Sequence, residues 1–330
     1  MPTIKILTET ELRKIVKLDL DAVDCIESAF RKLAEGSVVM PPILSMAIEE
    51  HHGEVDVKTA YVPGIENFAI KISPGFFNNP KIGLPSTSGL MVLFSVRTGM
   101  LEALLLDNGY LTDVRTAAAG AVAANHLSRK ESESACIVGA GNQARLQLQA
   151  LCLVRPIQKA TVWSPEEDEA KETAKELTER LGIPVRASLD IAAIVSEADI
   201  VVTTTPSTNP LVYAEWLRPG QHITSMGSDQ PNKNELEPAC LKRADIYIAD
   251  RISQTSVLGE LHHAILSGTI EATEEFPELG EIVAKKKQGR INSEQITICD
   301  LTGTGVQDTA IATFAKQRAE IDGTGNNFVN

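Results

Sequence analysis

Apolar residues recur at helical spacing in "LDLDAVDCIESAFRKLAEG", and the run stops on Gly36, so residues 8 to 36 read as helices. The period then shortens. "ILSMAIE", "VDVKTAYV", "FAIKIS", "GLMVLFSV" and "LEALLLD" read as strands, parted by turn residues such as Pro63-Gly64, Pro74-Gly75 and Asn78-Asn79-Pro80. A mostly antiparallel sheet with helices at its edge is expected. Asn108 to Leu127 reads as one long, Ala-rich helix. From residue 134 strands alternate with helical runs: "ACIVGA", "ATVWS", "DIVVTTT", "HITSMG", "DIYIAD" and "QITICD", with helices notably at 166 to 181 and 253 to 266. Such alternation predicts an α/β fold with a parallel sheet wound on both faces. The tail "DGTGNNFVN" is polar and is expected to fray.

Composition narrows the classes. The 330 residues suffice for one large domain or two ordinary ones, and 43% hydrophobic with 23% charged is ordinary for a soluble globular chain. A net charge of -13 argues against nucleic-acid and anionic-membrane partners, which call for a basic field. The start "MPTIKILTETELRKIVKLDL" carries both signs of charge and does not read as a signal peptide. No apolar run is long enough for a membrane span. Cys25, Cys136, Cys152, Cys240 and Cys299 are scattered and odd in number, as expected of reduced thiols in a cytoplasmic protein. The pair His262-His263 raises the idea of a metal, but adjacent helical residues do not share a face, and none is expected.

One motif carries chemistry by itself. In "SACIVGAGNQARLQLQA" Gly139 and Gly141 form G-x-G, with Ala144 as the small third residue. The first glycine permits a tight turn and the second lets the backbone approach a pyrophosphate. The helix that follows offers free N–H groups and the positive end of its dipole. The other reading is a tight turn without a ligand. The strand after it ends "VWSPEEDE", with Ser164 where an acid often holds the adenosine ribose and Glu166 and Glu167 beyond. With no nearby cation for a 2′-phosphate, NAD is favoured over NADP. The glutamates also suit a helix start.

The segments "FAIKISPGFFNNP", "LTDVRTAAAGAVAANHL", "IVGAGNQARLQ", "TTTPSTNPLV", "SMGSDQPNKNEL" and "DLTGTGVQD" stand in the order seen in the ornithine cyclodeaminase/mu-crystallin family, which the chain resembles over nearly its whole length. "MPPILSMAIEEHHGEVDVKTAYVPG" and "SPGFFNNPKIGLPS" are most similar to its ectoine-utilisation branch. The resemblance implies a discontinuous substrate-binding and dimerisation domain, residues 1–128 and 306–330, around a Rossmann NAD-binding domain, 129–305. It also implies a homodimer through the N-terminal sheet. By the same resemblance Lys71 contacts substrate, Arg115 grips an α-carboxylate, and Asp229 lies beside the substrate amine. Thr116, Gly139, Gly141, Asn142, Gln143, Ser164, Thr204, Thr205, Pro206 and Met226 fall on the cofactor side. Chemically these assignments are coherent. A guanidinium meets a carboxylate with two parallel charge-assisted bonds, and a lysine and an aspartate flanking one carbon can handle the proton that accompanies a hydride.

Each has a plainer reading. A lone cation is usually solvated, though Arg115 in an Ala-rich helix needs an anion if it points inward. Alternation puts Phe68, Ile70 and Ile72 on one face of a strand and Ala69 and Lys71 on the other, which faces either solvent or the site. Two departures from the family pattern bear on substrate. The run from Met40 to Ser45 lacks the second carboxylate-binding arginine. Lys58 stands where many cyclodeaminases carry a glutamate, and in this the chain resembles iminosuccinate reductases, which have a lysine in the matching place. A lysine there would repel ornithine's distal ammonium and welcome a distal carboxylate. Its plainer reading is a solvent-facing strand residue. Three classes compete: a reductase or dehydrogenase of a small, dicarboxylic imino or amino acid; an ornithine-type cyclodeaminase; and a non-enzymatic small-ligand binder.

Overall fold

The computed structural model describes residues 3–329. The chain begins with β1 (Thr3–Thr8), α1 (Glu9–Ile15), α2 (Leu20–Glu35), β2 (Leu44–Ile48), β3 (Gly53–Ala60), β4 (Asn67–Phe76), β5 (Leu90–Ser95), β6 (Leu101–Leu106) and α3 (Tyr110–Leu127). It continues with β7 (Ser134–Val138), α4 (Asn142–Val154), β8 (Lys159–Trp163), α5 (Glu167–Leu181), β9 (Val185–Ala187), α6 (Ile191–Glu197), β10 (Ile200–Thr203) and β11 (His222–Ser225). Last come α7 (Pro238–Arg243), β12 (Ile246–Ala249), α8 (Ile252–Thr255), α9 (Gly259–Leu266), α10 (Leu279–Val283), β13 (Thr297–Asp300), α11 (Gly305–Asp322) and β14 (Asn326–Val329). Two compact units result, Met1–Arg115 with Thr304–Asn330, and Thr116–Gly303. The divide falls inside α3, where the sequence reading put it after that helix.

In the first unit the strand order is β14-β1-β6-β5-β4-β3-β2, antiparallel except for β1 beside β6. Alternation sorts the side chains. Ala60, Ala69, Met91, Leu93, Ala103 and Leu105 are fully buried, while Phe68, Ile70, Ile72, Leu90, Val92, Phe94 and Leu104 are half-buried on the opposite face. Helix α11 starts hard against β3: a Cβ on Gly305 would sit 2.4 Å from the Thr59 carbonyl oxygen. Thr309 fastens it there, since its hydroxyl donates to the Ala60 carbonyl at 2.9 Å and accepts from the Ala69 N–H at 3.1 Å.

The second unit is a parallel sheet, order β12-β13-β11-β10-β7-β8-β9, with an apolar core on each face. Chain order reverses between β7 and β10, the place where such sheets open a crevice at their C-terminal ends. The fold is the mixed α/β architecture expected from the alternation.

The structure departs from the sequence pattern in three places. The tail does not fray throughout, because Asn326–Val329 pairs antiparallel with β1 through backbone bonds that side-chain polarity does not reveal. β1 itself occupies Thr3–Thr8, a stretch whose mixed charge marked no strand. Residues 253 to 266 are two helices, broken where Gly259 takes φ 67°.

Candidate active site

The register of β3 and β4 sets Lys58 directly opposite Lys71. Opposite residues share a face, so both lysines lie on the side packed by α11, and they are only 7% and 3% exposed. Like charges placed so destabilise a sheet unless an anion joins them. The anion is Asp308, in the first turn of α11 and wholly buried. Its Oδ2 lies 3.3 Å from Lys71 Nζ, and its Oδ1 lies 2.9 Å from Nε of Arg115. Arg115 is 5% exposed and points inward from α3, with a second nitrogen donating to Oε1 of Gln307 at 3.0 Å. The arginine's need for a buried anion is thus met within the chain.

Electrostatics follow from the packing. Burial pushes the Lys71 ammonium down to about 7; Asp308 opposes the drop, while Arg115 and Lys58 add to it. Asp308 stays below the usual carboxylate range despite its burial, because Arg115, Lys71 and Lys58 favour its charged form. Asp107, just after β6, is pushed up by burial, and its side chain accepts the Leu111 N–H at 2.9 Å. Several buried atoms here lack an aligned hydrogen-bond partner: Nε of Arg115, Nε2 of Gln307, Oγ1 of Thr304 and both Asp308 oxygens, which are met by ion pairs alone. Buried polar atoms are rarely left so, and a cluster of them marks a place suited to a polar ligand.

In the second unit the glycine turn has the required form. Gly139 takes φ 123°, and a Cβ there would sit 2.5 Å from Oγ1 of Thr204. Gly141 caps α4 with φ -78°, and a Cβ on it would meet no protein atom within 4 Å. Asn142 and Gln143 form the first turn of α4, and the Thr116 carbonyl accepts from Nε2 of Gln147 at 3.1 Å. Ser164 is buried at the end of β8. Its hydroxyl donates to Oε2 of Glu169 and accepts the Glu166 N–H, both at 3.3 Å. This backbone cradle, open at Gly141 and dipole-backed, fits a dinucleotide pyrophosphate.

Thr204, Thr205 and Pro206 follow β10, and Met226 follows β11. A carboxylate that the sequence reading did not single out binds these loops together. Glu235 accepts from Oγ1 of Thr203 at 2.6 Å, from Oγ1 of Thr205 at 2.7 Å and from the Gly227 N–H at 2.8 Å. Burial and the neighbouring Glu260 push it up to about 7. Glu260 in turn accepts from Ser225 at 3.0 Å, from Nδ2 of Asn234 at 2.6 Å and from the Glu235 and Leu236 N–H groups at 2.9 and 3.0 Å. The segment they frame carries Asp229, whose side chain is 44% exposed and pairs with Lys233 at 2.7 Å.

The structure therefore gathers Lys58, Lys71 and Arg115 in the first unit and the cofactor-side residues in the second, where Asp229 also lies. Asp308, Gln307, Glu235 and Glu260 escaped the sequence reading. Asp308 and Gln307 end the quoted "DLTGTGVQD", but an acid in a first helical turn looks like a dipole partner. His262 and His263 contact the carbonyls of Ser256 at 3.3 Å and Lys233 at 2.7 Å. Among the described residues no group of three or more His, Cys, Asp or Glu is placed to hold a metal, and no helix is long and apolar enough to cross a membrane.

The chain is similar to a protein of Sinorhizobium fredii named uncharacterized cyclodeaminase y4tK, with 60% identity over 329 residues and 99% of both chains covered. Among solved structures it is similar to the Thermococcus litoralis Δ1-pyrroline-2-carboxylate reductase in complex with NADH and L-proline, at TM-score 0.93 and 31% identity over 98% of this chain and 100% of that one. An archaeal alanine dehydrogenase dimer with bound NAD gives TM-score 0.92 and 34% identity, covering 99% of each chain. The iminosuccinate reductase of Paracoccus denitrificans in complex with NAD+ gives 0.91 and 30%, covering 99% of this chain and 100% of that one. The description of one family matches residues 3–323, and with these likenesses it establishes that the chain belongs to the ornithine cyclodeaminase/mu-crystallin family.

Proposed function

We propose that this protein is an NAD(H)-dependent oxidoreductase that reduces a small imino acid, or in reverse oxidatively deaminates the amino acid, and that its substrate is dicarboxylic, like iminosuccinate or aspartate. The observation that carries this reading is the buried group Lys58, Lys71 and Arg115 inside a protein of net charge -13. Arg115 holds the α-carboxylate through the guanidinium N–H groups that Asp308 and Gln307 do not take. Lys58 meets the distal carboxylate. Lys71 and Asp229 handle the proton that the substrate nitrogen gains. The nicotinamide, when bound, supplies the hydride. Gly139, Gly141, Asn142 and Gln143 cradle its pyrophosphate, with Thr116, Ser164, Thr204, Thr205, Pro206 and Met226 on the same ligand. NAD is favoured over NADP because Ser164 is already engaged by Glu166 and Glu169, and the acidic start of α5 repels a 2′-phosphate.

The similarity of residues 40–64 and 73–86 to the ectoine-utilisation branch supports a place in amino-acid metabolism. The half-buried apolar face of the first unit's sheet supports a homodimer, as in the archaeal alanine dehydrogenase. An ornithine-type cyclodeaminase is the second reading, favoured by the name of the y4tK relative and opposed by Lys58. The deciding experiment is NADH oxidation with ammonia and oxaloacetate, pyruvate or pyrroline-2-carboxylate, repeated with NADPH, beside ammonia release from ornithine. Fastest NADH use with oxaloacetate plus ammonia is expected. Ornithine turnover without net NADH change would replace this reading with the second.

A further inference from the structure

We propose that Asp308 is the positioning residue of this site, one carboxylate that holds Lys71 and Arg115 together and keeps the Lys71 amine charged for proton transfer. The inference rests on the imine-reducing reading above and goes beyond it by assigning Asp308.

The geometry is specific. Four of the first five residues of α11 address three other elements. Gly305 lets the helix touch β3, Gln307 holds one end of Arg115, Asp308 takes Arg115 and Lys71, and Thr309 bonds β3 and β4. The backbone that carries Asp308 is thus tied to β3 and β4, and its carboxylate reaches both cations from there. Among the described residues, the charged groups that act on Lys71 are Lys58 across the strand pair, Arg115 from α3, Asp107 after β6 and Asp308 from α11. Two of these are cations that disfavour a second buried ammonium, and burial disfavours it further. Asp308 is the anion in direct contact. With it, Lys71 is poised at about 7, where an amine both gives and regains a proton readily. Without it the ammonium loses its counter-ion and the amine goes neutral at lower pH.

The test uses Asp308→Asn, nearly isosteric and uncharged, beside Asp308→Glu. Protein labelled with 13C at lysine Cε reports Lys71 directly, its signal assigned by its loss in Lys71→Arg. We expect Lys71 to titrate near neutrality in the wild type, about one pH unit or more lower in Asp308→Asn, and near the wild-type value in Asp308→Glu. The alkaline fall of kcat/KM for imine reduction should move down with it, so that the deficit of Asp308→Asn is about fivefold larger at pH 8 than at pH 6, on top of any pH-independent loss through Arg115. A uniform loss at every pH with an unmoved Lys71 titration overturns the proposal. So does a Lys71 signal that keeps its wild-type titration when the carboxylate is removed, in Asp308→Asn or, should that variant fail to fold, in Asp308→Ser. The lysine titration needs no substrate. A wild type inactive on imines thus counts against the functional reading alone, while an active enzyme whose Lys71 ignores Asp308 counts against this inference alone.

Discussion

Lys58 and Lys71 show how much one residue's meaning depends on its neighbour across the sheet. Each alone reads as a surface cation, and alternation says only which strand face it occupies. The pairing of β3 with β4 sets them opposite, and α11 covers that face. Their burial would be costly without Asp308, since an ammonium leaving water loses solvation that only an anion or a polar ligand restores. If Lys58 meets a distal carboxylate, Lys58→Met removes a charge-assisted contact of about 1.5–3 kcal/mol, roughly ten- to a hundred-fold in kcat/KM. Iminosuccinate should suffer that loss in steady-state kinetics, while pyruvate with ammonia should be nearly unaffected. Equal losses on both substrates would assign Lys58 to the architecture of the pocket.

At the scale of elements, the turn from β7 into α4 separates two glycines that look alike in the sequence. Gly139 is required by the protein itself, because its φ of 123° and the nearby Thr204 leave no place for a side chain. Gly141 has an ordinary φ and open space. Gly141→Val should therefore leave thermal stability near that of the wild type and weaken NADH by tenfold or more, about 1.4 kcal/mol or above. Gly139→Ala should lower the melting temperature whether or not cofactor is present. Melting curves beside fluorescence titrations distinguish the two, and wild-type NADH binding by Gly141→Val would move the pyrophosphate away from this turn. The loops after β10 and β11 have their own device in Glu235, a carboxylate buried to accept from both.

For the whole molecule, the first unit's sheet packs one face against helices and leaves on the other a stripe of Phe68, Ile70, Ile72, Leu90, Val92, Phe94 and Leu104, with Phe68 and Phe94 stacked at 5.3 Å. A second copy covering that stripe predicts a particle twice the 35.6 kDa chain by light scattering, and Val92→Asp at its centre should give monomers. A wild-type monomer at micromolar concentration would refute the homodimer. What the sequence determined by itself is what periodicity and local geometry encode: most strands and helices, the α/β class, the G-x-G turn, and through its motifs the family. Through the family resemblance it also singled out Lys58, Lys71 and Arg115 as candidate substrate contacts. It did not determine Asn326–Val329 as a strand, because an edge pairing rests on backbone bonds, which carry no side-chain signature. Nor did it show Asp308 between Lys71 and Arg115 or Glu235 between two loops. These carboxylates lie 237 and 193 residues from Lys71 and Arg115 and 32 from Thr203. An electrostatic partner that far along the chain is selected only when packing brings the charges together and shuts water out, and that is the work of the tertiary structure.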